Sequence, residues 1–463
     1  MSRQAAGAAH GVVLAAIMAA CTPESVPPRT PATHPSDRVT AEARPGGHEK
    51  SDVLPFKHDD FAGALAEAKR TGRLLFVDAW APWCHSCQSM RAYVLTDPSL
   101  APLANDFVWL SVDTEKDENA PFVSRFSNRV WPTLWIIDAV REAPVLRWEG
   151  TATAPELATL LATVRSGARE GAADAAVAFL KASQASARGD VAAAEQSYRA
   201  VLAVKDAPDR ARAVEALAGL LSARKDFDAC TQLAIAESPT MAPGTSRATV
   251  LTISLACARQ AKRSADLRTL TAAAERVATD PDPRTIADDR SALFEELVET
   301  KKEQKDVAGA KATARIWASF LEQEAARAHT TQARAVFDAH RLSAYLEAGE
   351  PERAVPMLSE SERDFPGDYN PPARLARAYL TMTRLDDAQA AIQRASARVY
   401  GPRSLRVFAL AADIAKARGD APGERGALEQ AVARTAKAVL NEGQKELRAS
   451  LEKRLRDLPA RPR

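Results

Sequence analysis

The sequence predicts an α/β domain over residues 53–168 followed by an all-α solenoid of repeated helix pairs over residues 170–463. Three observations predict it. Short apolar strands alternate with helical stretches in the first region, the composition turns to alanine, arginine, leucine and glutamate beyond Gly167, and similar phrases then recur at intervals near 34 residues. A chain of 463 residues is in any case too long for one ordinary domain. Its 62 lysines and arginines balance 60 aspartates and glutamates, so charge makes no case for nucleic-acid binding. No apolar run reaches the roughly 18–20 residues of a spanning helix, which excludes a polytopic helical membrane protein.

Met1–Ala20 carries one early arginine, Arg3, then an alanine-rich stretch most apolar over Gly11–Ala20, and ends at Cys21. This is the layout of a signal peptide with a short apolar core. Met18-Ala19-Ala20-Cys21 resembles the bacterial lipoprotein box, whose cysteine is lipidated and becomes the new N-terminus, although Met18 replaces the usual leucine and His10 interrupts the apolar run. Plain secretion with a free or trimmed Cys21 is the other reading. Thr22 stands where an aspartate would favour inner-membrane retention, so the resemblance implies a periplasm-facing, lipid-anchored protein of the outer membrane. Residues 21–52 carry Pro23, Pro27, Pro28, Pro31, Pro35 and Pro45 without apolar periodicity and read as an extended tether.

In the α/β region, Asp59 or Asp60 is placed to cap a helix through Phe61, Leu65 and Ala68 that stops at Gly72, and the strand Leu74–Val77 follows at once. A second helix begins near Cys84. The strand Phe107–Val112, a helix around Pro121–Phe126, the strands Thr133–Ile137 and Val145–Trp148, and a helix over Pro155–Val164 complete the unit.

Cys84-His85-Ser86-Cys87 lies at the first strand-to-helix junction after that capped helix. Two cysteines three apart there sit on one helical turn, where unpaired N–H groups and the helix dipole lower the pKa of the leading thiol. A low-pKa, accessible thiolate is what disulfide exchange requires. Half of a zinc site has the same spacing, but no second such pair exists in the chain.

Trp83-Cys84-X-X-Cys87, Asp78 in the preceding strand, Trp131-Pro132-Thr133 and Gly150 together resemble the thioredoxin superfamily, over about a quarter of the chain. Thr96-Asp97-Pro98-Ser99-Leu100 after the active-site helix makes the closer likeness the reducing periplasmic domain of DsbD-type thiol:disulfide interchange proteins. The resemblance implies that Cys84 forms the mixed disulfide and Cys87 resolves it. It also implies that Pro132 is cis and packs against the disulfide, and that Asp78 is buried beneath Cys87 with a raised pKa, taking up the Cys87 proton. A salt-bridged or capping carboxylate is the plainer role for Asp78. His85 is placed to stabilise the Cys84 thiolate and make the couple more oxidising, or is an exposed histidine of small effect. Trp83 and Trp131 are expected to form an apolar docking rim ahead of Thr133, with Trp80, Trp109 and Trp135 in the core. The sequence departs from the family in carrying Val130 and Trp131 before Pro132, and Trp109 where thioredoxin has a lysine near the buried acid.

Beyond Gly167 five turns can be phased, at Gly189-Asp190, Lys225-Asp226, Gly349, Thr383 and Gly419-Asp420, and the spacings resemble tetratricopeptide repeats. Such stacked pairs present a surface for protein partners. A spacer or self-association role is the plainer reading. Cys230 and Cys257 are about 27 residues apart, close to one repeat, and are read either as a structural disulfide or as buried free thiols. His329 and His340 read as isolated residues.

The resulting expectation is an exported thiol:disulfide oxidoreductase without a bound cofactor, acting on protein thiols and disulfides through Cys84 and Cys87 in net reduction. Its helical repeats recruit a protein partner, and a lipid anchor ties it to the membrane. Two alternatives are a copper- or zinc-handling protein built on Cys84, Cys87 and His85 or another histidine, for which no third ligand stands at a clear spacing, and a non-catalytic envelope assembly scaffold.

Overall fold

The computed structural model describes residues 53–459 apart from Ser127, residues 167–173 and Pro208. The expected signal peptide, lipidated Cys21 and tether lie outside the described residues. Among the described residues no helix is long and apolar enough to cross a membrane.

The α/β region is a five-stranded mixed sheet built from β1 (Lys57–His58), β2 (Leu74–Trp80), β3 (Phe107–Asp113), β4 (Thr133–Asp138) and β5 (Ala143–Glu149), in the order β1-β3-β2-β4-β5. The first three strands pair in parallel; β4 and β5 run antiparallel. β3 is buried at every residue and β2 at all but its ends, which is why both read as unbroken apolar runs. Helices α1 (Phe61–Thr71), α2 (His85–Ser89), α3 (Ala120–Arg125) and α4 (Ala154–Ser166) flank the sheet. The Asp60 carboxylate accepts the Gly63 N–H at the start of α1, and Gly72 closes it in the left-handed conformation.

The two-residue periodicity of the strands divides the core. Phe76, Trp109, Leu134 and Leu146 face α4 and its Leu157 and Leu161, whereas Leu75, Val77, Leu110 and Trp135 face Ala64 and Ala68 of α1 and Phe122 of α3. Trp109 and Trp135 are buried as expected. Trp80 is only half-buried, because it ends β2 at the sheet rim, where the Arg91 guanidinium lies 4.0 Å from its ring centre. Three short elements of this region were not legible in the sequence: β1, only two residues long, the 3₁₀ turn Pro98–Leu103 that Asp97 caps, and the 3₁₀ turn Asp117–Asn119. The helix expected from Cys84 also gives way at Met90 to a π-helical turn over Met90–Val94.

All regular structure from Asp174 to Asp457 is helical. The core beneath β2, β3 and α4 continues without a break into Phe179, Tyr198, Leu217 and the cysteines 230 and 257, which form a buried disulfide. Besides Gly244 and Gly401, which lie between helix pairs, seven turns within the pairs of the described residues carry a residue with positive φ: Gly189, Lys225, Lys262, Lys305, Gly349, Thr383 and Gly419. Five are those phased from the sequence. The other two hold lysine where glycine is the usual signal, and their neighbouring turns are more widely spaced. Asp190, Asp226, Asp306 and Asp420, directly after four of these positions, cap the helices that follow.

Thr383 is the β-branched member of this set, at φ 59°. The left-handed region costs an L-residue about 1–2 kcal/mol, and glycine returns about 0.5–1 kcal/mol of that through its freer unfolded chain. Thr383→Gly is therefore expected to stabilise the chain by about 0.5–1 kcal/mol in urea unfolding, with the m-value unchanged; a destabilised variant would contradict this account.

Candidate active site at the Cys84–Cys87 pair

β2 delivers the chain to Ala81-Pro82-Trp83, and Cys84 becomes the N-cap of α2. Its sulfur accepts the Cys87 N–H at 3.0 Å, an arrangement that favours negative charge on Cys84 in the reduced form. The two cysteines are joined in a disulfide. The Trp131–Pro132 peptide is cis, and the Gly150 N–H donates to the Pro132 carbonyl at 2.9 Å, fixing this turn to the end of β5. Ser86 Oγ donates to the Trp131 carbonyl at 3.2 Å, so the motif helix and the proline turn are directly tied. Thr133 is buried in β4, opposite Ala79 of β2, and its hydroxyl donates to the Val130 carbonyl at 2.6 Å.

Asp78 is 1% exposed in the middle of β2. Burial pushes its carboxyl up to about 6, against the opposing pull of Arg91 and of the Ser111 hydroxyl. Its cross-strand neighbour in β3 is Ser111, whereas Trp109 pairs with Phe76. The basic partner is Arg91, 4.0 Å from Asp78 Oδ2, with its guanidinium also donating to Ser111 Oγ at 3.0 Å. Arg91 lies one helical turn beyond Cys87, a spacing from which it could have been read.

The helical region closes over this face. Cys84 is 4% exposed and Cys87 fully buried, so the open thiol the sequence suggested is instead covered by the chain's own helices. Trp83 and Trp131 do stand together, ring centres 5.3 Å apart, but both are held internally. Trp83 Nε1 donates to Glu115 Oε1 at 2.8 Å, the Arg403 guanidinium lies 5.0 Å from its ring centre, and Trp131 Nε1 donates to Thr114 Oγ1 at 2.9 Å. Glu115 also accepts the Arg403 backbone N–H at 2.5 Å, and burial pushes its carboxyl up to about 7. Asn370 Nδ2 donates to the Pro82 carbonyl at 3.2 Å, and the Tyr400 hydroxyl to Asp113 Oδ2 at 2.6 Å. Gly401, at φ 59°, comes so close that a Cβ built on it would lie 2.0 Å from the Glu115 carbonyl oxygen.

His340, which reads as isolated in the sequence, is a neighbour of His85, with ring centres 3.8 Å apart. His85 Nδ1 is 2.8 Å from Asp288 Oδ2, in the first turn of the helix Ala287–Glu303. Burial pulls the His85 pKa down, but the Asp288 carboxylate more than offsets it and the net shift is upward. The next residue, Asp289, accepts the Thr151 hydroxyl at 2.7 Å; burial, then the Asp288 charge, push it up to about 8. His340, 3% exposed, is held neutral, its pKa pushed down to about 3 by burial and by His85. Asp288, Glu115 and Arg403 carry no local sequence signal, because each acts across a separation of hundreds of residues.

Residues 57–139 match the family model described as thioredoxin-like, and residues 345–414 a tetratricopeptide repeat model. The thiol:disulfide interchange protein DsbD of Pseudoalteromonas atlantica is 30% identical over 82 residues, 17% of this chain and 14% of that protein. DsbD of Colwellia psychrerythraea is 26% identical over 106 residues, 22% of this chain and 17% of that protein. This chain thus spans under a fifth of either relative. A tetratricopeptide repeat protein from Parabacteroides merdae aligns in structure with a TM-score of 0.39 at 11% identity, over 60% of this chain and 98% of that one. The chain carries a thioredoxin-like domain with a redox cysteine pair, followed by tetratricopeptide-type helical repeats.

Two outcomes follow from this geometry. Unfolded, Asp78 ionises near 3.8; folded, near 6, so the unfolded chain loses its proton first and stability falls as pH rises through that window, by about 3 kcal/mol. The stability of Asp78→Asn relative to the unsubstituted oxidised chain should therefore rise between pH 4 and pH 7, and a difference flat with pH would contradict the assignment. Gly401→Ala should force the helices off Glu115, so that alkylation of reduced Cys84 by iodoacetamide accelerates several-fold while far-UV circular dichroism is unchanged. An unchanged rate would mean that the cover opens freely without the substitution.

Proposed function

We propose that this chain is an exported thiol:disulfide oxidoreductase that works in net reduction of protein disulfides, with helical repeats that recruit its protein partners. The observation that carries the reading is the Cys84–Cys87 disulfide at the start of α2, held against the cis Trp131–Pro132 turn with Asp78 buried in the adjoining strand. In the reduced chain the Cys84 thiolate attacks a client disulfide, forms a mixed disulfide and expels one client thiolate. The Cys87 thiol gives its proton to the Asp78 carboxylate and attacks the Cys84 sulfur. The mixed disulfide breaks, the second client thiolate leaves, and Cys84–Cys87 is restored. Two electrons pass to the client, so a dithiol donor must reset the pair. A carboxyl titrating near 6 suits this proton transfer near neutral pH.

Two features support the reducing direction. The relatives matched by sequence are thiol:disulfide interchange proteins of the DsbD type. In addition, Asp288 neutralises the His85 charge that would otherwise favour the Cys84 thiolate. The Trp83–Trp131 rim faces the chain's own helices, so a client reaches Cys84 by displacing them, and recruitment falls to the helical faces turned away from the thioredoxin-like domain. We further propose that Cys21 is lipidated and anchors the chain in the outer membrane, facing the periplasm. The lipoprotein-like residues Met18–Cys21 and the proline-rich stretch after them support this.

Redox titration of the chain against glutathione buffers, with alkylation of Cys84 and Cys87 as the readout and Cys84→Ser as the control, tests the chemistry. A reversible two-electron couple at or below about −230 mV is expected; a value above about −180 mV would make the protein an oxidase or isomerase, and no reversible couple would end the enzyme reading. Mass analysis of the mature N-terminus should give a chain beginning at an acylated Cys21, and an unmodified or differently cleaved terminus would remove the anchor.

A further inference from the structure

The group formed by His85, Asp288 and His340 is not accounted for by thiol chemistry. Disulfide exchange makes no use of His340, yet this imidazole is 3% exposed and, among the described residues, neither ring nitrogen has a hydrogen-bond partner. Buried polar groups are nearly always satisfied, and one left open calls for a missing partner. Its Nδ1 stands 3.8 Å from Asp288 Oδ1 and its Nε2 3.9 Å from Glu295 Oε2, both too long for hydrogen bonds. Asp288 is itself 2% exposed and lies 2.8 Å from His85 Nδ1.

We propose that His85, Asp288 and His340 bind one divalent transition-metal ion of the zinc class, joining the thioredoxin-like domain to the helical repeats. One donor atom from each of the three residues falls within 4.8 Å of the other two. Tetrahedral bonds of about 2.1 Å need donors about 3.4 Å apart, so small side-chain rotations bring the measured 2.8 and 3.8 Å separations into range. Two imidazoles and one carboxylate suit zinc and its neighbours, whereas magnesium and calcium prefer oxygen alone. The ion takes the place of the His85 proton against Asp288. With His340 Nδ1 on the metal, Nε2–H faces Glu295, the outer carboxylate that commonly orients a ligating histidine. Arg374 is the cation whose field reaches both imidazoles, and Asp288 and Glu295 oppose it. The ligands come from α2 and from the helices Ala287–Glu303 and Asp338–Ala348, so the site is complete only when the two parts of the chain are docked. It uses neither sulfur, which separates it from a site on Cys84 and Cys87.

The test uses the full chain, stripped with chelator and kept oxidised so that Cys84 and Cys87 cannot ligate. Zn²⁺ is titrated by calorimetry and Co²⁺ by visible absorption. The expected result is one ion per chain, a cobalt spectrum without a sulfur charge-transfer band, and binding at least about 10-fold weaker in each of His340→Ala, Asp288→Asn and His85→Ala. His329→Ala should bind like the unsubstituted chain. Circular dichroism of each variant separates loss of a ligand from loss of the fold, and His85→Ala, at a half-exposed position, guards against a misfolded interior variant. No saturable binding by the oxidised chain, affinity unchanged in all three variants, or binding that appears only on reduction would each overturn the proposal. The titrations use the oxidised chain and do not measure disulfide exchange by Cys84 and Cys87, so the metal proposal and the thiol:disulfide reading fail separately.

Discussion

The docking of the helical region onto the cysteine-bearing face is the constraint on which the rest of the site depends. It is carried by the beginnings of three helices. Asp288 and Asp289 in one first turn take His85 and Thr151, Asn370 at the start of another holds Pro82, and the Arg403 N–H, just ahead of a third, donates to the Glu115 carboxylate. Few of these contacts are strong alone, since a hydrogen bond contributes about 0.5–1.5 kcal/mol net. They act together because Gly401 lets the two backbones touch. The same docking buries Glu115 and His340, and burial is the largest cause of the perturbed titration of each.

Adjacent aspartates on one turn illustrate how closely this surface is tuned. Asp288, opposite a histidine, is held below the ordinary carboxylate range despite its burial, whereas Asp289, facing the Thr151 and Thr245 hydroxyls and no cation, is pushed far above it. One carboxylate and one carboxylic acid therefore sit side by side at neutral pH, each matched to its partner across the interface. The arrangement avoids two like charges at a buried seam while keeping both side chains in polar contact with the domain opposite.

Much of the fold was legible because local rules carry it. Asp60 and Gly72 bracket α1, the apolar runs of β2 and β3 reflect burial on both faces, and Gly189, Gly349 and Gly419 mark turns by the one residue type that adopts positive φ freely. The turns at Lys262 and Lys305 escaped for the same reason, since tertiary packing there holds a lysine where local preference disfavours it. At the site, the spacing of Cys84 and Cys87 and the Trp131–Pro132 turn could be read directly. What surrounds them could not. His85 meets Asp288 across 203 positions and Glu115 meets Arg403 across 288, and no periodicity or spacing within one sequence encodes such a pairing.

A stack of helix pairs has two ends, and each leaves an apolar face that no further repeat covers. Where the described repeats stop the answer is compositional: the helix Glu442–Asp457 is charged along most of its length and commits only Leu451 fully to the interior. At the near end no such polar helix is present among the described residues. The helix Asp174–Ala187 lies against β5, and the apolar layer runs on from it into the sheet. The thioredoxin-like domain is thus the lid on the first repeat, and the module expected to do the chemistry is also the terminal block that keeps the array from sticking to copies of itself.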